Sequence, residues 1–530
     1  MTAAGTIRAP SPAAFSPLRI GALAAAALAL APLIAVVGLA LTRPASAAIP
    51  VEVILRYARD TSVLATLVAL GACTLGASAA WLVVMHRFPG RDLFAWALAL
   101  PLAAPAYALA YAYADLLDVA GPVRTALRTA GIDAWPFEVR SLPGAAAVLS
   151  CAFYPYVYLT ARAAFVSQSV CALEAARSLG STPWDAFRRV ALPLARPALA
   201  AGAALAVMET LADYGAVNFL GVQTLTTGVV RAWAVYGAPG SAARISLILL
   251  GAAAVLLWIE RLGRREQGYA AASARWRTLT EVPLRGPAAW AASGFCLLLL
   301  VLALLLPAGW LAWKGLSISP ELPRIVRAGA VTLGLGLAGA VVTVGLAAVI
   351  AFGGRGRKLA QRLVSLGYST PGAVMAVGLL APAALVWKGA NGAVAGLGLL
   401  ILAYAARLMA AALEPIDAGL ARITPSMDRA ARSLGESEAG AVRRVHVPLA
   451  SASLWTAALL VFVDVVKELP ATLILRPFNF DTLAVLADRY AADERLAEAA
   501  WPALAIVLIA APAMIVLSRQ VMASRPGGRA

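Results

Sequence analysis

Four carboxylates occupy positions where a charge is costly to place. Glu209 and Asp213 lie four residues apart in an otherwise apolar run, and Asp464 and Glu468 repeat that spacing 255 positions later. Residues four apart share one face of a helix. At the centre of a bilayer each acid costs about 2.5–3.5 kcal/mol on insertion scales. These side chains are therefore expected to face an interior, water or a partner, and not lipid. Lys467, beside Glu468 and three residues after Asp464, offsets part of the cost by pairing. Two roles fit the pattern. The acids could line a translocation path and touch a cation transiently, since oxygen donors suit a hard trivalent ion. Four fixed acids would bind such an ion too tightly for release. Alternatively they brace helices at a bend, with Gly215 and Pro470 supplying the irregularity.

Other chemistry-bearing residues are sparse. His86 and His446 are the two histidines, far apart, and Cys73, Cys151, Cys171 and Cys296 are scattered without metal or disulfide spacing. A membrane-bound enzyme would need a nucleophile–base pair that this set does not offer, and neither a histidine-based metal site nor a bound cofactor is expected on the chain. Tyr107, Tyr111 and Tyr113, with Tyr154, Tyr156 and Tyr158, suggest a phenolate iron site. Aromatic anchoring at the membrane–water border is the commoner cause of such clusters.

The elements that position these residues follow from composition. The 530 residues are 61% hydrophobic and 13% charged, with a mean hydropathy of +0.80, which no soluble domain of this size could hide. Runs such as residues 20–41 and 64–85 contain neither acid nor base. About 20 helical residues cross a hydrocarbon core about 30 Å thick, and in lipid the backbone must satisfy its own hydrogen bonds. The fold class is an all-α integral membrane protein with about twelve transmembrane helices. Spans are expected near 20–41, 62–85, 93–114, 143–165, 197–219 and 243–260, then 287–312, 329–352, 364–387, 393–413, 452–475 and 499–518. Pro44-Ala45-Ser46-Ala47-Ala48 has the look of a cleavage site. The apolar run before it is longer than the usual signal core of about 7–15 residues, so it reads as a retained helix.

The net charge of +17 belongs to the connections and points to the lipid bilayer, not nucleic acid. With the N-terminus cytoplasmic, the cytoplasmic connections hold the larger share of the 44 Lys and Arg residues. Both termini and the central connection are therefore expected on the cytoplasmic side. Residues 263–286 read as a linker between a first half, 1–262, and a second, 287–530.

The halves repeat. Residues 174–199 and 429–454 match at 14 of 26 positions at the shift of 255, and residues 66–91 align with 332–357 at a shift of 266, leaving about eleven extra residues in the first half. Six spans per half is an even number, so the two repeats run parallel, with a pathway between them. Small residues at 71–76 and 334–339 are expected to let helices approach closely.

The repeated segment falls in a long polar loop, about 166–196 and again about 416–451. It reads as a helix, a glycine stop at Gly180 or Gly435, a second short helix, and Pro193 or Pro448 at the return to the membrane. Leu173, Ala176 and Leu179 share one face of the first helix. So short an amphipathic piece needs a surface to lie against.

Glu174-Ala175-Ala176, then Gly180, then Leu192-Pro193 resembles the EAA loop of the membrane subunits of bacterial ABC importers, and the second copy keeps Ala430, Ala431, Gly435 and Pro448. The resemblance implies a type I-like permease fold whose loops dock on a separate ATP-hydrolysing subunit, present in two copies. Arg429 stands where that family has the glutamate, which would weaken or re-pair one docking salt bridge and make the two sites unequal. Leu211-Ala212-Asp213-Tyr214-Gly215-Ala216, Thr226-Thr227-Gly228, Lys467-Glu468-Leu469-Pro470-Ala471-Thr472-Leu473-Ile474-Leu475-Arg476-Pro477-Phe478, and Asp493-Glu494-Arg495-Leu496-Ala497-Glu498-Ala499-Ala500 are similar to fused permeases of ferric-iron importers. That likeness implies Fe(III) as cargo, an extracytoplasmic substrate-binding protein as partner, and a place in the bacterial cytoplasmic (inner) membrane. Related fused permeases carry thiamine or other small solutes. The chain contains no Gly-x-x-x-x-Gly-Lys-Ser/Thr and no Gly-Lys dipeptide, so the usual phosphate cradle is missing. ATP is expected on partner subunits and catalysis elsewhere. A secondary transporter with two parallel repeats would need no docking loops.

Overall fold

The computed structural model describes residues 17–43, 49–132, 137–167, 187–265, 282–353, 370–386, 392–421 and 423–523, with single positions 180, 182, 185 and 364. The first half contributes α1 (Pro17–Thr42), α2 (Val51–Met85), α3 (Arg91–Ala97), a 3-10 turn at Leu100–Ala103, α4 (Ala106–Leu117), α5 (Pro122–Thr129), α6 (Leu142–Ser167), α7 (Leu192–Ala212), α8 (Gly215–Phe219), α9 (Leu225–Ala234) and α10 (Pro239–Arg265). The second contributes α11 (Pro287–Leu300), α12 (Leu306–Gly315), α13 (Leu322–Gly353), α14 (Gly372–Val386), α15 (Gly392–Leu420), α16 (Pro425–Ser433), α17 (Glu438–Ala441), α18 (Val447–Val466), α19 (Pro470–Leu475), α20 (Leu483–Ala492) and α21 (Leu496–Ala523). One two-residue parallel pairing, His86–Arg87 with Val282–Pro283, ties the end of the inter-half connection to the end of α2.

Ten helical runs among the described residues are long and apolar enough to cross a membrane. The span expected at 93–114 is instead a helix pair bent by 89°, because Pro105 withholds a backbone donor at the break. Of the span expected at 364–387, the described part is the 15-residue α14. The spans expected at 197–219 and 452–475 stop at Ala212 and Val466 and resume as the short α8 and α19. Hydropathy records where lipid is tolerated, not where the hydrogen-bond ladder is cut. Helix α10 runs through Arg265, beyond the expected start of the linker at 263.

Three wide helical turns share one local cause. Five-residue π turns at Phe187–Ala191, Val301–Leu305 and Val442–His446 each end two residues before a proline, Pro193, Pro307 and Pro448. A proline has no N–H to give and its ring crowds the carbonyl four residues back, so the ladder widens there. The first and third turns are related by the shift of 255.

The two halves interlock through their first helices. Helix α1 packs against α13 and α14 of the second half as well as α10 of its own. Reciprocally, Trp310 and Lys314 of α12 reach Asp115 of α4, at 2.7 and 3.1 Å. The most extensive helix–helix contact among the described residues joins α2 to α6. A Cβ on Gly76 would lie 2.7 Å from the Tyr154 carbonyl oxygen and 2.8 Å from the Tyr158 nitrogen, so backbone meets backbone. In the second half Gly336 and Gly339 accept Phe462 and Val465 of α18, whereas Gly334 faces open space.

Hydrogen bonding also resets the register of the repeat. Thr61 of α2 accepts the Leu225 N–H at the start of α9, and Thr332 of α13 accepts the Leu483 N–H at the start of α20, each at 2.9 Å. Thr332 therefore corresponds to Thr61, not to Thr66 as the 266-residue alignment places it. Small apolar residues carry too little identity to set a helical register unaided.

Candidate functional site

The site grows from the two helix breaks. After Ala212 the backbone of Asp213 turns extended, and the Asp213 carboxylate accepts the Val217 N–H at 3.0 Å, capping α8. After Val466 the Glu468 carboxylate accepts the N–H groups of Ala471 and Thr472 at 2.9 and 3.0 Å and the Thr472 hydroxyl at 2.7 Å, capping α19. Each acid supplies an acceptor for amide donors that a helix start leaves without partners. Gly215 and Pro470 open the two short helices, as the expected bend requires. A Cβ on Gly215 would lie 2.9 Å from Cβ of Tyr107, so the glycine seats that tyrosine against the Asp213 corner.

The charges meet in one place. Glu209, Asp213, Asp464, Lys467 and Glu468 line a single cavity of about 70 Å³, together with Arg407 of α15. A water needs roughly 10–15 Å³ on this measure, so several fit. Lys467 Nζ lies 2.9 Å from Asp464. The Arg407 guanidinium lies 3.8 Å from Glu209 and 3.7 Å from Glu468, joining an acid of each half. Arg407 is the cavity residue that the sequence pattern understates. Its signal is a lone base in the middle of the apolar α15, and an ionisable group there is functional by default.

The cavity wall is unequal. Subtracting 255 from Arg407 and Lys467 gives Ala152 and Ala212, both of which also line it. The four acids come two from each half, while both bases come from the second.

The loop residues lie in a separate region. Gly180 and Gly435 have φ of +84° and +83°, the left-handed conformation expected of a helix stop. In the second loop α16, Gly435 and α17 follow in the expected order; Arg429 and Ala430 are exposed and Ala431 is buried. Thr182 and Ser437, again 255 apart, accept the N–H of Asp185 and Gly440, the latter in the first turn of α17. Pro193 and Pro448 start α7 and α18. Glu174, Ala175 and Ala176, with Leu173 and Leu179, lie outside the described residues.

The tyrosines depart from the expected membrane-border placement. Tyr107, Tyr111, Tyr113, Tyr154 and Tyr158 are buried in the bundle because α4 and α6 face inward, and Tyr156 is half-buried. Tyr158 and Tyr113 donate to the carbonyls of Ala95 and Leu302 at 2.7 and 2.5 Å, and Tyr111 to Asp488 at 3.5 Å. The three bonded hydroxyls thus go to three different partners. Asp488, on α20, is a fifth acid near the centre that sequence spacing missed, because its half-repeat counterpart is not acidic.

Comparison with known proteins agrees with this architecture. The chain is 24% identical over 474 residues to an Fe(3+)-transport system permease protein of Haemophilus influenzae, covering 87% of this chain and 89% of that one. It is 29% identical over 203 residues to a sulfate transport system permease protein of Escherichia coli, covering 36% of this chain and 71% of that one. A probable molybdenum ABC transporter permease protein of Haloferax volcanii is 32% identical over 225 residues, 42% of this chain and 80% of that one. The sequence model described as "binding-protein-dependent transport system inner membrane component" matches residues 72–313 and 339–526. With two copies of that signature and a multi-pass helical body, the chain belongs to the inner membrane components of binding-protein-dependent transport systems, the permeases of ABC importers.

Proposed function

We propose that this permease imports Fe(III) and that the central cavity lies on its path. The observation that carries the reading is the convergence of Glu209, Asp213, Asp464, Lys467 and Glu468, together with Arg407, on one cavity between the halves. Carboxylate oxygens are the donors a hard trivalent cation prefers. Likeness to an Fe(3+)-transport system permease over most of both chains supports the same cargo.

Family membership implies an ATPase and a substrate-binding protein as partners. In our reading two ATPase copies clamp the loops at about 166–196 and 416–451, and both termini face the cytoplasm. The chain itself binds no nucleotide. Closure and opening of the ATPases, entering through Gly180 and Gly435 and the helices that follow Pro193 and Pro448, would alternate access to the cavity. Bracing is a second role of the same acids, favoured by the caps that Asp213 and Glu468 place on α8 and α19.

The test is uptake of radioactive iron by cells carrying Asp213→Asn with Glu468→Gln. Loss of uptake with the complex still assembled supports a path role. Normal uptake with a stable complex leaves bracing alone. A neighbouring binding protein that holds a thiazole ring and not iron would overturn the cargo.

A further inference from the structure

The unequal wall has a chemical reading that deepens the proposed function and rests on it. Three of the four cavity acids face a tethered cation: Asp464 has Lys467, and Glu209 and Glu468 share Arg407. Asp213 faces none among the described residues; its carboxylate meets the Val217 N–H of its own chain. The first-half positions that could have supplied a base are Ala152 and Ala212.

Beside Asp213, Tyr107 adds an independent sign of a missing partner. It lines the same cavity, is 4% exposed, and its buried hydroxyl has no hydrogen-bond partner. A buried hydroxyl without a partner costs about 1–3 kcal/mol by mutational measures, so this one, on a residue that lines the cavity, calls for an occupant. Gly215 holds the Tyr107 ring against the same helix break.

We infer that Asp213 and Tyr107, with Glu209 one helical turn away, form a landing site for a hard multivalent cation on the first-half wall of the cavity. The ion takes the place beside Asp213 that Lys467 and Arg407 fill for the other acids. It competes with Arg407 for Glu209, and a water of its shell gives Tyr107 its missing hydrogen bond. Among the described residues no three His, Cys, Asp or Glu side chains converge as a metal site. An ion in passage must be held weakly enough to leave.

Terbium(III), a luminescent hard trivalent ion, is the probe, titrated into the purified full-length chain in detergent micelles. The wild-type chain is expected to bind it saturably, one ion per chain. Asp213→Asn should weaken binding at least tenfold and Tyr107→Phe severalfold. Asp118→Asn, which removes an acid outside the cavity that Arg140 already pairs, should stay within twofold. Ala212→Lys, which gives the first half the base of the second, should abolish binding by filling the place itself, and covers the case in which Asp213→Asn fails to fold. Equal affinity in wild type, Asp213→Asn and Ala212→Lys, or no saturable binding at all, overturns the site. Binding that follows this pattern but is not displaced by gallium(III) or iron(III) nitrilotriacetate upholds the site and rejects iron as cargo.

Discussion

Arg407 reaches from the second half of the chain to within 3.8 Å of Glu209 in the first, while its other terminal nitrogen lies 3.7 Å from Glu468. One guanidinium thus ties α7, α15 and the start of α19 together at the point where the halves meet. The contact fixes the spacing of the cavity walls and leaves their charge unbalanced.

Replacing Arg407 with methionine strands two carboxylates. Removing one partner of a buried ion pair costs about 3–5 kcal/mol. We expect a lowered Tm for Arg407→Met, partly recovered when Glu209→Gln is added, and read by thermal unfolding in detergent. Equal Tm for Arg407→Met and wild type would remove the tie from the energetics of the fold.

Close approach of α2 and α6 makes a second, purely steric expectation. Gly76→Leu drives a side chain into backbone atoms of Tyr154 and Tyr158, and overpacking of this kind costs about 1–3 kcal/mol or more. Gly334→Ala, in open space, should be neutral or slightly stabilising through helix propensity. Both are read as yield of folded chain and Tm.

The paired threonines test the repeat itself. Thr61→Val and Thr332→Val each leave a buried helix-start amide without its acceptor, a loss of about 1–3 kcal/mol. Similar losses from the two changes, with little effect from Thr66→Val, would match the corrected register. Thr66 bonds only the Ser62 carbonyl of its own exposed helix face.

The loop glycines carry the coupling prediction. Gly180→Asp with Gly435→Asp forces a side chain into left-handed backbone, a conformation L-residues adopt at a cost of roughly 1–2 kcal/mol each. Transport should be abolished while membrane insertion and the amount of chain stay normal, measured by uptake and by membrane-fraction blots. Full transport in the double variant would detach these loops from energy coupling.

Much of this was legible because charge is rare in an apolar chain. Glu209, Asp213, Asp464, Lys467 and Glu468 stand out against their surroundings, and the spacing of the acids recurs at the shift of 255. The loops were legible through identity at 14 of 26 positions. Arg407 was not, since its counterpart Ala152 is silent and the repeat directs attention to what recurs. The inward tyrosines were not, since aromatic residues near span ends look alike whether they face headgroups or a neighbouring helix. The bend at Pro105 was masked by the apolar residues on both sides of it.

Carrying both halves on one polypeptide has an evolutionary consequence. Were the permease assembled from two identical subunits, any base acquired by one wall would appear in the other, and Arg407 and Lys467 would be matched by two more, cancelling the four acids. Tandem duplication released the copies from that constraint. One wall could then drift toward a self-neutralised support while its sibling stayed electronegative, a division of labour that a symmetric ancestor could not inherit.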